Sequence, residues 1–242
     1  MTTTAPAPAT LAPAAAPPVP AVPSGPFSRL PRYGALALAA APLLLIAGSM
    51  TSPPQDSNSS ADYVESLARD PFLTHLSATL FHYGWVAMAF GLLAAMTLVR
   101  DRGKVLAVVG GLGGAFGAVQ MSGLLLLDWY NSAAGRTVGA GQGGAIMDVV
   151  DASVSMSVWL DSAKVAAIVL PLFLYLGLAR AGVISWWLAP LSLVGFLLGP
   201  LVAGLLGGDL GLVLGIAAGL VGAAPTFLVA YRLVRRSRLV AA

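Results

Sequence analysis

Polar side chains that could bind a proton, an ion or a small solute interrupt the apolar segments of this 242-residue chain. Asp161 and Lys164 lie three residues apart in the stretch VWLDSAKVAAIVLPLFLYL, residues 158 to 176, so a helix would place both on one face. A carboxylate there can accept a proton or bind a cation, and an amine beside it would balance its charge. We therefore expect Asp161 to be the anionic contact of a binding site and Lys164 to be its charge partner.

Two polar residues of other apolar segments fall at the same depth as this pair. Counted at 1.5 Å per helical residue from a basic residue at the end of its segment, each side chain lies roughly 24 to 28 Å away. The four are His82, Gln120, Asp161 and Lys164. Polar groups in a membrane span avoid lipid by facing the bundle interior or a watery cavity. The sequence therefore predicts a shallow, outward-facing polar pocket, formed by these four ligand-binding residues, that binds or helps to transport a small solute or a proton.

The same residues leave other functions open. We expect a non-enzymatic protein and assign no catalytic residue. The first alternative is a membrane enzyme acting on a lipid or isoprenoid at the outer leaflet, with His82 as general base and Lys164 stabilising developing negative charge. The second is a structural or assembly partner of a membrane complex. A purely structural interpretation also stands, in which Asp161 and Lys164 only neutralise each other at the membrane boundary.

The composition is that of a protein whose solvent is largely lipid. The chain is 57% hydrophobic and 10% charged, with a mean hydropathy of +0.84. Its net charge of +3 does not indicate nucleic-acid binding, because the basic residues flank apolar segments instead of forming one patch. The absence of cysteine and the presence of two histidines argue against a metal centre or a haem, and we expect no cofactor.

Six apolar segments are long enough to cross about 30 Å of hydrocarbon as helices. They cover residues 33–50, 73–99, 105–128, 154–178, 183–206 and 210–231. Barrel-like alternation is absent, so the predicted fold is all-α, a transmembrane bundle of six spans over residues 33–232. Residues 1–28, rich in Ala and Pro, are predicted to form a disordered cytoplasmic tail, and residues 233–242 a basic cytoplasmic tail.

The distribution of charge predicts the orientation of the bundle. With six alternating spans, ten Lys and Arg residues fall on one side, and two, Arg69 and Arg136, fall on the other. Basic connections favour the cytoplasm, so we expect both termini there, in the inner membrane of a bacterium. The short connections 100–104 and 179–182 then face the cytoplasm, and the longer connections 51–72 and 129–153 face outward.

The outward connections contain one predicted helix and one predicted loop. DYVESLARD, residues 62–70, indicates a short acidic helix capped by Ser60 or Asp62. GAGQGG, residues 139–144, matches a dinucleotide-binding pattern but follows no strand, so we expect a flexible glycine-rich loop.

Glycines recur four residues apart in the third and sixth spans. They are Gly110, Gly113, Gly114, Gly117, Gly211, Gly215 and Gly219. Because helices in lipid associate through close backbone approach and dispersion contacts, this spacing predicts tight packing of these faces. The partner can be another helix of the chain, a second copy in a homo-oligomer, or another membrane protein.

The order of the segments resembles a known arrangement. A polar outer connection follows the first span, and LGLARAGVISWWLAPLSLVGF, residues 176–196, joins two later spans through a short basic turn. That turn is Ala179, Arg180, Ala181 and Gly182, with an aromatic pair after it. On these features residues 33–232 resemble an uncharacterised family of six-span bacterial integral membrane proteins. The resemblance implies six helices and no particular activity.

Overall fold

The computed structural model describes residues 30–206 and 208–241, and in these ranges every regular element is helical. Residues 1–28, predicted to be a disordered tail, lie outside the described residues. Residues 233–241, predicted to be a basic tail, continue the last helix. The helices are α1 (Leu30–Thr51), α2 (Ser60–Arg69), α3 (Pro71–Met96), α4 (Lys104–Val138), α5 (Ala140–Asp151), α6 (Val154–Lys164), α7 (Leu170–Arg180), α8 (Leu188–Leu206), α9 (Gly208–Gly222) and α10 (Ala224–Ala241), with a π-helical turn, Val165–Val169, between α6 and α7.

Four helices in the described residues are long and apolar enough to cross a membrane. They are Pro31–Thr51, Pro71–Met96, Lys104–Val138 and Val154–Arg180. Leu210–Gly222 and Ala224–Ser237 make a fifth if this pair, bent by 41°, is one span. By length and composition the chain is thus a multi-pass integral membrane protein. The predicted six spans are not confirmed, because α8, which occupies the place of the fifth predicted span, is not among these candidates.

Close backbone approach holds α1 and α3 together as an antiparallel pair. A Cβ on Gly91 of α3 would lie 2.7 Å from the Cα of Leu38, and one on Gly34 of α1 would lie 2.1 Å from the Cβ of Ala94. Helices whose backbones approach this closely make dispersion contacts along their length. These contacts supply much of the attraction between helices in lipid. The hydroxyl of Ser77 also donates a hydrogen bond across the pair, to the carbonyl oxygen of Gly48.

The glycines of α4 pack against the π turn and α7. A Cβ on Gly110 would lie 2.0 Å from the amide nitrogen of Leu174, and one on Gly117 would lie 2.2 Å from that of Ala167. The predicted tight packing of this face is therefore confirmed within the chain. A homo-oligomer or a membrane partner bound through glycine faces stays a prediction.

Prolines remove a backbone donor in α1, in α7 and at the start of α10. Pro42 lies inside α1, Pro171 follows the π turn, and Pro225 follows the break between α9 and α10. At the end of the π turn the amide of Leu170 donates to the carbonyl oxygen of Val165, five residues back. At membrane depth, irregular backbone is tolerated where it is buried in protein or lines a cavity. These positions are therefore candidates for the wall of a cavity.

The connection over residues 129–153 is mostly helical, which corrects the sequence prediction. Residues 129–138 continue α4, and α5 (Ala140–Asp151) includes most of the GAGQGG segment. Gly143 and Gly144 are buried, because their lack of side chains lets α5 approach α2. A Cβ on Gly144 would lie 2.6 Å from the amide nitrogen of Ala61. Tertiary contact has here overridden the low helix propensity of glycine.

The predicted acidic helix is confirmed as α2, although its cap differs from the prediction. The side chain of Ser59 accepts a hydrogen bond from the amide of Asp62 and caps the helix, instead of Ser60 or Asp62. Asp62 accepts hydrogen bonds from the amides of Asp56 and Ser57 in the preceding connection. We call α2, residues 129–138 of α4 and α5 together the cap; it lies at the end of the bundle opposite the basic turns.

Candidate functional site

Two of the predicted site residues, His82 and Gln120, face different helices. The Nδ1 atom of His82 on α3 lies 2.8 Å from the Oγ of Ser122 on α4. Gln120, also on α4, donates from Nε2 to the Oγ of Ser162 on α6 at 3.4 Å. Because residues two apart on a helix point to different sides, α4 separates these contacts. The structure therefore does not bring His82 and Gln120 into one pocket.

The other two predicted site residues lie on the outer face of α6. Asp161 and Lys164 are exposed, whereas Ala163 between them is fully buried. The only ion pair among the described residues joins Arg69 and Asp56, so the expected pair of Asp161 and Lys164 does not form and that expectation was wrong.

Gln120 retains an acceptor for which the described residues offer no partner. Its Oε1 atom is buried and accepts no hydrogen bond in the described part of the chain. Leaving a buried polar atom unpaired costs about 1–3 kcal/mol, so a donor from a bound solute or a proton would offset that cost.

The bundle contains a cavity that is lined by none of the four predicted site residues. A cavity of about 390 Å³ lies between α1, α3, the π turn, α7 and the last three helices. Its size is in the range of small-molecule sites, roughly 300–1,000 Å³. Its wall is mainly apolar, and no charged side chain lines it in the described residues. The lining residues are Pro42, Leu45, Ile46, Ser49, Phe81, Trp85, Met88, Leu92, Ala167, Ile168, Pro171, Tyr175, Ser192, Gly199, Leu212, Gly215, Ile216, Gly219, Gly222, Ala223 and Thr226.

The cavity is elongated along the bundle. Tyr175 precedes Arg180 by five residues, which places this part of the wall roughly 8 Å from the basic end. Phe81 precedes Arg100 by nineteen residues, which places the other end roughly 28 Å away. An occupant would therefore extend over roughly 20 Å of membrane depth, as an extended hydrocarbon chain does.

Two lining residues toward the cap end are exposed. They are Ser49 of α1 and Leu212 of α9. α8 and α9 pack on each other extensively, with Gly199 against Gly215, whereas α9 touches α1 at few positions.

The π turn and the break before α10 border this cavity. Ile168 of the π turn and Ala223 at the break line it, as do Pro42 and Pro171. π-helical turns occur frequently at functional sites, and irregular backbone inside a membrane protein often borders a cavity.

Two buried hydroxyls form a polar site in the wall of the cavity near its basic end. The hydroxyl oxygen of Tyr175 lies 2.7 Å from the Oγ1 of Thr226. This bond uses one of the two hydroxyl protons, and neither oxygen has a second partner among the described residues. The other lining hydroxyls donate within their own helices, Ser192 to Ala189 and Ser49 to Leu45.

A half-buried phenol joins the cap to the membrane-crossing part of α4. The hydroxyl of Tyr63 on α2 donates to a carboxylate oxygen of Asp128. Burial, followed by the nearby charge of Asp128, raises the pKa of Tyr63 well above its ordinary value. Tyr63 therefore remains protonated and keeps donating near neutral pH.

Reasoning from sequence missed both the cavity and its hydroxyl pair. Tyr175 and Thr226 lie 51 positions apart, and nothing in the pattern of either segment indicates that they meet. The one available signal was proline, because the prolines of several spans mark the irregular backbone around the cavity.

No similarity assigns an activity to this arrangement. Comparisons with protein-family models, with curated proteins and with solved structures gave no match. The resemblance to a six-span family therefore stays an expectation. Within the described residues, no group of three or more His, Cys, Asp or Glu side chains could hold a metal ion.

Proposed function

We propose that this chain is a non-enzymatic integral membrane protein that binds a lipid-soluble molecule in the cavity between α1, α3, α7 and the last three helices. The observation that supports this function is the cavity of about 390 Å³ itself, with its mainly apolar wall and without a charged lining side chain. Unfilled space inside a bundle forfeits dispersion contacts, and an apolar occupant restores them.

We place the protein in the inner membrane of a bacterium, with six spans and both termini in the cytoplasm. Six spans follow if α8 crosses the membrane and the bent pair of α9 and α10 crosses as one unit. An even number of crossings puts both termini on the side of the basic connections 100–104 and 179–182, as the preference of Lys and Arg for the cytoplasm requires.

Photolabelling with an octadecane that carries a diazirine tests ligand binding in the cavity. In nanodiscs, labelling of peptides from the cavity wall should saturate with probe, and excess octadecane should abolish it. Ile216→Trp fills the cavity from α9 and should weaken specific labelling about tenfold, equivalent to about 1.4 kcal/mol. Val213→Trp adds the same bulk at a position of α9 that is 61% exposed, and should leave labelling unchanged.

Two results would contradict the proposed function. Labelling could rise in proportion to the probe without saturation, as expected for lipid that merely surrounds the protein. The two tryptophan variants could also lose labelling equally, which would indicate a general loss of folding instead of a filled cavity.

A second candidate function, binding or transport of a proton or small solute, is favoured by the unpartnered Oε1 of Gln120. His82, Asp161 and Lys164 would complete the ligand set. This set requires the exposed Asp161 and Lys164 to move toward α4, and α4 to turn so that Gln120 and His82 face one space. In proteoliposomes, Gln120→Leu should abolish proton or solute uptake if this function holds. Thr137→Val, on the exposed outer part of α4, serves as the control. Uptake that persists in Gln120→Leu would exclude this candidate.

A further inference from the structure

We propose that the occupant of the cavity is an uncharged, single-chain lipid with a hydroxyl or carbonyl oxygen at one end. Its oxygen accepts a hydrogen bond from the hydroxyl pair of Tyr175 and Thr226. This inference rests on the proposed function, because it names the class of ligand that the same cavity binds.

The extent of the cavity accommodates one chain. Its lining residues are spread over roughly 20 Å of depth, from the level of Tyr175 to that of Phe81. A single hydrocarbon chain can reach both levels within a volume of about 390 Å³.

The lining requires an uncharged ligand. No Asp, Glu, Lys, Arg or His is among the described residues of the wall. A charged end group inside would lose its hydration without gaining a partner, which is costly in a low-dielectric interior. Fatty acids in their ionised form and lipids with charged head groups are therefore excluded from the closed end.

The hydroxyl pair supplies the single point of polar recognition. The bond between Tyr175 and Thr226 leaves one O–H for which the described residues offer no acceptor. Both side chains are buried, at 3% and 7% exposure, so water does not readily satisfy this proton. A hydroxyl or carbonyl oxygen of the ligand supplies the missing acceptor, whereas a plain hydrocarbon leaves the donor unpaired.

Competition against the octadecyl diazirine probe tests this ligand class. Octadecanol should compete about fivefold more strongly than octadecane, because it alone offers the acceptor. Stearate above neutral pH should compete more weakly than either. The double variant Tyr175→Phe/Thr226→Val removes both hydroxyls with little change of shape and should reduce the preference for octadecanol to about onefold, whereas each single variant keeps one O–H and should retain the preference. The matched control, Tyr83→Phe, changes an exposed tyrosine outside the cavity and should retain the preference.

The results distinguish an error in the proposed ligand class from an error in the proposed function. Binding of octadecane in the double variant reports that the cavity is still folded. Equal competition by octadecanol and octadecane in the unaltered protein would overturn the hydroxyl recognition and leave the apolar site intact. A preference that persists in the double variant would also overturn it. Failure of every competitor would instead contradict the proposed function.

Discussion

Two tyrosines, Tyr63 and Tyr175, differ in whether their hydrogen bonds leave a hydroxyl proton free. Tyr63 donates to the carboxylate of Asp128, which can only accept, so the phenol proton is fully used. Tyr175 faces the hydroxyl of Thr226, which brings a proton of its own. The hydrogen bond between Tyr63 and Asp128 therefore leaves no hydroxyl proton free, and it connects the cap to α4. The bond between Tyr175 and Thr226 leaves one hydroxyl proton that a ligand can accept.

The hydrogen bond between Tyr63 and Asp128 predicts that the free energy of unfolding falls at alkaline pH. Because the pKa of Tyr63 is raised above its ordinary value of 10.0, the unfolded chain loses this proton at a lower pH than the folded protein does. The contribution of the neutral phenol is thus fully present below about pH 10 and declines as the pH rises further. Thermal unfolding at about pH 8 and about pH 11 should show a smaller alkaline loss in Tyr63→Phe than in the unaltered protein.

The control for this experiment is Tyr130→Phe, a change of an exposed tyrosine on α4. It should keep the full alkaline loss of the unaltered protein. At about pH 8, Tyr63→Phe should be less stable by about 1–3 kcal/mol, because it leaves a buried carboxylate without its donor. An alkaline loss of the same size in both variants would contradict the assignment.

At the scale of the elements, glycine contacts determine which helices pack together. Gly110 and Gly117 place α4 against α7 and the π turn, and Gly144 places α5 against α2. These contacts fix the π turn beside α4, and residues of the same turn form part of the cavity wall. The shape of the cavity therefore depends on the contact between α4 and the π turn.

Adding a single methyl group to that contact should destabilise the protein. A Cβ on Gly117 would lie 2.2 Å from the amide nitrogen of Ala167, so Gly117→Ala forces backbone apart and should cost about 1–3 kcal/mol. A Cβ on Gly141 of α5 would meet nothing within 4 Å. Gly141→Ala should therefore be neutral or stabilise by up to about 1 kcal/mol through helix propensity. Thermal unfolding measures both; equal effects would contradict the packing.

The helices were largely predictable from sequence, but their faces were not. Hydropathy located the apolar segments, and the acidic stretch DYVESLARD with its candidate capping residues located α2. Glycine propensity misled the prediction for α5, because only contact with α2 explains why that segment is helical. Ile216 and Val213 are both apolar residues of α9, yet only Ile216 lines the cavity. Composition alone cannot separate a wall position from a lipid-facing one.

The polar residues illustrate the same limit. Residue counts gave the depth of each side chain along its segment, but they did not show which neighbouring helix the side chain faces. His82 and Gln120 fall at one depth and face different neighbours, because α4 lies between their contacts. Asp161 was assigned to a pocket from its charge, although its side chain lies on the exposed face of α6.

At the scale of the whole molecule, the chain has a basic end, a capped end and a cavity between them. Exposed lining residues, Ser49 and Leu212, lie toward the capped end, and the hydroxyl pair lies near the basic end. A ligand that binds through its oxygen would therefore be inserted with that end first. The few contacts between α9 and α1 leave room for such entry from the membrane.

The proposed six-span topology predicts which positions share a side of the membrane. The chain contains no cysteine, so single cysteines can be introduced without background. Cysteines at Arg102 and Ala181 should react with a membrane-impermeant maleimide only from the cytoplasmic side. A cysteine at Gln142 of the cap should react only from the other side. Labelling of all three positions from one side would contradict the topology.

Quenching of Trp85 by a brominated chain tests the central claim most directly, because Trp85 lines the cavity and is buried. The protein would retain only this tryptophan, with the other four replaced by Phe, and dibromo-octadecanol would be titrated in nanodiscs. We expect quenching that saturates and that octadecanol reverses, whereas a variant retaining only the exposed Trp186 should be quenched in proportion to the bromolipid. Quenching of Trp85 that is absent, or that never saturates, would show that no chain binds in the cavity.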